Sequence, residues 1–186
     1  MEKSEATHSS REIILKQIQE KNINLGRATD ATQILAVSKL QSTDKIHELH
    51  QQGQVEFGEN YVQEALTKMD QLSSLKIHWH LIGHLQKNKV KAIAGRFELI
   101  HSIDSLTLAE KISQATQALG KRQKILLQIN QAEEKTKTGF QEESIHAEWS
   151  QLTSLPGVEI CGLMCLPPLF ENPDQTRPYF KKLRLQ

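Results

Sequence analysis

Short runs of consecutive apolar residues alternate along this chain with stretches whose apolar residues recur every three or four positions. The short runs fall at residues 34–39, 55–58, 77–82, 97–103, 124–130 and 158–166. Runs of that length read as buried strands, and the stretches between them as amphipathic helices. Thr43-Asp44 starts one helix, with Ile46 and Leu49 inside and Gly53 stopping it. Another carries Val62, Ala65, Leu66, Met69 and Leu72, and a short one around Val90, Ile93 and Ala94 ends at Gly95. Ser105 caps a helix with Leu108, Ala109, Ile112 and Ala115 that Gly120 stops. Ile145, Trp149 and Leu152 define the next, closed by Pro156-Gly157, and a last helix begins near Arg177. Ahead of all these, Ser9 and Glu12 form a capping box for a helix carrying Ile14, Leu15 and Ile18.

Strand then helix, repeated six times, predicts an α/β fold with a parallel sheet under covering helices. A doubly wound sheet and a (β/α)8 barrel both fit that rhythm. No glycine-rich loop follows the first strand, where a dinucleotide fold would carry one. A barrel uses about 250 residues for eight units, roughly 30 each. The 186 residues here therefore accommodate about six units in one domain, residues 1–186.

Composition narrows the partners. The chain is 38% hydrophobic and 24% charged, as a soluble globular domain is, and its net charge of +1 offers no basic field for nucleic acid. No apolar run approaches the ~20 residues of a membrane span. The polar residues 1–11 lack the apolar centre of a secretory signal, so the expected location is the cytoplasm. Cys161 and Cys165 sit in one predicted strand, about 13 Å apart, too far for a disulfide. They read as two buried thiols facing the helix layer.

The candidate chemistry collects where strands end, which is where a parallel barrel places function. Lys39 closes the first strand, Glu59-Asn60 the second, and His80 and Gly83 lie near the end of the third. Asp104 follows the fourth, Asn130 ends the fifth, and Met164 lies in the sixth. Alternation puts Leu35, Val37 and Lys39 on one face, and His78, His80 and Ile82 on another strand's single face. A lysine buried at a strand end loses solvation and becomes nucleophilic near neutral pH, as a Schiff base with an aldehyde requires. Asn60 suits the orientation of a ring substituent, although Asn60 and Asn130 are also ordinary turn residues. His80 taken alone is an ordinary hydrogen-bonded core histidine. No histidine–carboxylate set has metal-ligand spacing, so no metal is assigned. Lys87, Lys89 and Lys91 read as a solvated helix face.

Several segments in order carry a closer likeness: Leu35-Ala36-Val37-Ser38-Lys39, Phe57-Gly58-Glu59-Asn60-Tyr61-Val62-Gln63-Glu64, and Trp79-His80-Leu81-Ile82-Gly83-His84-Leu85-Gln86-Lys87-Asn88-Lys89. Ile103-Asp104-Ser105, Gln128-Ile129-Asn130 with Glu134, Lys137 and Gly139, and Gly162-Leu163-Met164 follow. With these the chain resembles the pyridoxal phosphate homeostasis protein family, the YggS/PROSC-like group, over nearly its whole length. The resemblance implies a TIM-type (β/α)8 barrel like the N-terminal domain of alanine racemase. It implies pyridoxal 5'-phosphate (PLP) held as a Schiff base on Lys39, with Asn60 beside the ring, Met164 on the pocket floor, and His80 and Gly83 in the third-strand wall. It further implies a monomer that serves PLP (vitamin B6) homeostasis without turnover. The alternatives are a PLP-dependent racemase or lyase, and an inactive remnant.

One departure from the family pattern sets further expectations. The family's Ser-x-Gly-Met-Ser segment on strand seven and Arg-Ile-Gly segment on strand eight hold the cofactor phosphate, and neither occurs in these 186 residues. The expectation is a C-terminally truncated barrel with open edges that favour self-association, and weak, reversible capture of the aldehyde.

Overall fold

The computed structural model describes residues 10–131 and 138–186, which leaves out Ser9 of the expected capping box and Glu134 and Lys137 of the family segment. The chain divides into two compact units, Met1–Ala36 and Val37–Gln186.

The first unit holds α1 (Ser10–Asn24). Ile14, expected inside, is exposed, and Leu15 and Ile18 are half-buried, so the inner stripe follows the three-residue spacing of the latter pair. Its buried anchor is polar: Asn22 donates from Nδ2 to the Thr29 carbonyl at 3.1 Å and accepts from Thr32 Oγ1 at 3.3 Å.

The strands are β1 (Ala36–Val37), β2 (Glu56–Glu59), β3 (His78–Leu81), β4 (Leu99–Ile103), β5 (Gln123–Ile129) and β6 (Val158–Cys165). They form one sheet in the order β1-β2-β3-β4-β5-β6. The β2–β3, β3–β4, β4–β5 and β5–β6 pairings are all parallel. A doubly wound sheet reverses direction at a switch point, whereas a barrel adds each strand beside the last. The sequential order therefore settles the choice left open by the rhythm: this is a six-stranded, unclosed part of a TIM-type barrel. The crossovers run through α2 (Thr43–Gln51), α3 (Val62–Gln71), a 3-10 turn leading into α4 (Val90–Ile93), α5 (Leu106–Gln117) and α6 (Glu142–Thr153), with α7 (Arg177–Arg184) after β6.

The core lies between sheet and helices. Strand residues Phe57, Trp79, Leu81, Ile100, Ile125, Leu127 and Val158 are buried, as are helix residues Ile46, Ala65, Met69, Leu108, Ile112 and Leu152. The opposite face of the sheet is mixed and only partly covered, with Glu56, His80, His101, Leu99 and Leu126 half-buried and Val37 and Lys124 exposed. Thr116 Oγ1 donates to the Gly157 carbonyl at 2.6 Å, and Gly157 N donates to Ser113 Oγ at 2.9 Å, fastening α5 to the start of β6.

The expected burial of both thiols is corrected. Cys161 is exposed, Cys165 is half-buried, and both are free. The register passes from Ile125↔Ile160 to Leu126↔Gly162, so Cys161 is the unpaired residue of a bulge in an edge strand rather than a member of the core face.

Candidate functional site

The residues after β1, β2 and β3 gather at the C-terminal end of the sheet. Ser38 N donates to the Gly58 carbonyl at 2.9 Å, extending the β1–β2 pairing by one residue. Alternation then acts as expected: Ser38 turns toward the helices and is buried, while Val37 and Lys39 face away and are exposed. Lys39 lies in a turn closed by Gln41 N donating to the Ser38 carbonyl at 3.0 Å. Leu40, the next residue, has φ = 60°, the one positive φ at a non-glycine residue among those described.

The expectation of a buried Lys39 is corrected. Its amine is exposed and makes no hydrogen bond or ion pair among the described residues. The buried lysine is Lys68 on α3, 5% exposed, which spacing along the sequence did not single out. Its Nζ donates to Glu59 Oε1 at 2.8 Å, Glu64 Oε1 at 2.6 Å and the Ser38 carbonyl at 2.7 Å. An ammonium has three protons, so Lys68 is fully engaged and Lys39 is the available amine. The pattern held two clues to Lys68: an i,i+4 Glu64–Lys68 pair, and Glu59 at a position alternation sends into the core.

Asn60 and Gly83 are brought together. Ile82 N donates to the Glu59 carbonyl at 2.9 Å, and a Cβ on Gly83 would stand 2.2 Å from the Asn60 carbonyl oxygen. Only glycine admits that approach, and Ser102 Oγ donates to the Gly83 carbonyl at 2.6 Å from the next strand.

His80 sits deeper, on the face turned away from the helices, within a polar row across three strands. Its Nε2 is 2.7 Å from Glu56 Oε2 and its Nδ1 is 2.8 Å from His101 Nε2, while His78 Nδ1 meets Glu56 Oε1 at 2.7 Å. A neutral His80 that donates to Glu56 accepts from His101, which fixes both tautomers. Burial and then the neighbouring His80 push His101 down to about 4. Burial works to raise the Glu56 carboxyl, but hydrogen bonds from His78 and His80 outweigh it and hold it below its ordinary value.

Met164 is half-buried on β6, in register with Gln128 of β5. Asn130 is buried, and its N–H donates to the Phe140 carbonyl at 3.0 Å. Lys87, Lys89 and Lys91 are exposed, as a solvated face should be. Among the described residues no group of histidine, cysteine, aspartate and glutamate side chains could hold a metal ion, and no helix is long and apolar enough to cross a membrane.

An open parallel sheet in barrel order defines the fold class. A family model described as "Alanine racemase, N-terminal domain" matches residues 13–186. The pyridoxal phosphate homeostasis protein of Aquifex aeolicus is 39% identical over 171 residues, which cover 92% of this chain and 75% of that protein. The solved structure of PipY from Synechococcus elongatus, with PLP bound, has a TM-score of 0.79 at 36% identity, covering 91% of this chain and 79% of that one. An alanine racemase from Clostridium difficile has a TM-score of 0.67 at 17% identity, covering 90% of this chain and 47% of its own, a likeness of fold alone. The chain belongs to the pyridoxal phosphate homeostasis protein family.

Proposed function

We propose that this chain binds PLP as a Schiff base on Lys39 and serves cytoplasmic PLP homeostasis without turning over a substrate. The observation that carries the proposal is the Lys39 amine, exposed and unengaged beside a polar turn at the C-terminal end of the sheet. The PLP-bound relative PipY and the family's name support it.

The residues present supply an amine for the aldehyde of the group and a wall for its ring. PLP, when bound, supplies an aldehyde carbon with which a primary amine condenses, releasing water. Lys39 provides that amine, and Lys68 leaves it without a competitor on the same turn. Asn60 is assigned the orientation of the ring, its backbone seated against Gly83. His80 belongs to the wall below, and Met164 to the floor. The absence of turnover finds support in His80: both its ring nitrogens are engaged, by Glu56 and His101, so it is not poised to exchange a proton with a substrate.

The test is a visible spectrum of the purified chain mixed with PLP, then borohydride reduction and mapping of the modified lysine. A lysine-bound band that grows with PLP concentration, with label on Lys39 and lost in Lys39→Ala, is expected. Label scattered over surface lysines would refute the assignment. Solvent deuterium entering the α-position of an amino acid would refute the non-catalytic part and favour a racemase or lyase.

A further inference from the structure

Lys68 and its two carboxylates take no part in the chemistry proposed for Lys39, yet they form the most deeply buried charge cluster in the described residues. Glu59 is 0% exposed and Lys68 5%. A buried ion group is weak evidence for stability, since apolar residues of similar volume hold helix to sheet as well or better. Its contacts show what apolar residues could not do here.

The contacts converge on the two residues that flank Lys39. On one side, the Ser38 carbonyl accepts from Lys68 Nζ at 2.7 Å and Ser38 Oγ donates to Glu59 Oε1 at 2.6 Å. On the other, the Leu40 N–H donates to Glu64 Oε1 at 2.6 Å. Lys68 ties the two sides together by binding both carboxylates at once. The Leu40 backbone sits at φ = 60°, a conformation an L-residue with a bulky side chain adopts only when something holds it. Its side chain is 76% exposed, so packing does not hold it; the Glu64 hydrogen bond is the restraint. Turn carbonyls and amides need polar partners, which a leucine or methionine at position 68 would not supply.

We infer that Lys68, acting through Glu59 and Glu64, is a positioning residue that locks the Ser38–Leu40 turn and so sets the place and direction of the Lys39 amine. The inference rests on Lys39 being the PLP lysine. Lys68 touches neither cofactor nor reacting atoms. It holds the backbone on both sides of the residue that does, and without it Lys39 swings on a loose turn.

The experiment compares the full 186-residue chain with Lys68→Met, Glu64→Ala and Glu64→Gln. Three measurements are made on each: hydrogen exchange of the Leu40 amide without PLP, PLP titration by visible absorbance, and mapping of the borohydride-trapped lysine. Lys68→Met and Glu64→Ala are expected to lose Leu40 protection, to weaken PLP binding about 10- to 100-fold, and to lower the share of label on Lys39. Glu64→Gln, which keeps an acceptor for the Leu40 N–H, is expected to recover most of all three. Glu64 is partly exposed, so the Glu64 pair decides the matter if Lys68→Met does not fold. Unchanged Leu40 protection in folded Lys68→Met or Glu64→Ala, or lost protection with unchanged PLP binding and labelling, overturns the inference. Lys39→Ala separates it from its premise. If Lys39→Ala retains the band, the Schiff-base assignment falls. If Lys39→Ala loses the band and keeps Leu40 protection while the Lys68 and Glu64 variants bind PLP normally, only the positioning role falls.

Discussion

The His80–His101 pair predicts a loss of stability in mild acid. In the unfolded chain His101 takes up a proton near its ordinary 6.5, whereas in the folded chain it does so only at about 4. Between those values the unfolded state binds the extra proton, so stability falls as pH falls from 6.5 toward 4 and is fully present above 6.5. At pH 5.0 the unfolded histidine has come down 1.5 pH units from 6.5, and at about 1.4 kcal/mol per unit the ceiling is about 2 kcal/mol. His101 is only half-buried, and solvent screening brings the expectation to about 1 kcal/mol. The groups facing it are His80 directly and Glu56 behind His80, and Glu56 titrates below the window tested. Urea unfolding at pH 7.5, 6.0 and 5.0 is compared between the natural chain and His101→Asn, whose amide still donates to His80. The natural chain should lose about 1 kcal/mol more than the variant between pH 7.5 and 5.0, which in a thermal scan is about 2–4 °C. Parallel pH dependences would refute the reasoning, because they would mean His101 carries its proton into the folded state.

Three further outcomes follow from the geometry. Gly83→Ala drives a methyl into the Asn60 backbone and is expected to destabilise by about 1–3 kcal/mol in denaturant titration while displacing Asn60 and weakening PLP binding. Ile100→Ala, at a fully buried position in the middle of the sheet, should cost about 2–5 kcal/mol and leave the Lys39 label pattern intact in the folded fraction. The Lys68 hydrogen bond holds the Glu64 carboxyl below its ordinary 4.5, so its stabilisation is present above 4.5 and is lost as pH falls through the lowered value; Glu64→Gln should flatten that acid limb in thermal scans.

Much of the fold was legible because both of its periods were clean. Phe57, Leu81, Ile100 and Leu127 fall on strand alternation, and Ala65, Met69, Leu108 and Ile112 on helical spacing, and these are the buried residues. Lys39 was legible as a strand-end amine, but its burial was not, because alternation says which face a residue takes and not what covers that face. The face away from the helices is only partly covered, so Lys39 is exposed there and Ser38 is the buried neighbour. Cys161 was misplaced because it is the unpaired extra residue of a bulge in an edge strand, which a reading of apolar runs does not reveal. The Lys68 cluster and the Glu56–His80–His101 row were hidden for another reason. Each joins side chains from different elements, and the sequence carried only indirect traces of the first, the Glu64–Lys68 helix pair and Glu59 at a core-facing position.

The contacts that hold the Lys39 turn also have a bearing on how the protein is made. The most distant of them, Lys68 to the Ser38 carbonyl, spans 30 residues, and the Leu40 to Glu64 link spans 24. Such loops close early, because closure entropy grows with loop length and short-range contacts come at small entropic loss. The lysine-bearing turn is therefore a nearly self-contained stretch of β-strand, helix, strand and helix, complete once α3 has formed. On the ribosome all the anchors of this turn have been synthesised before the later strands are translated.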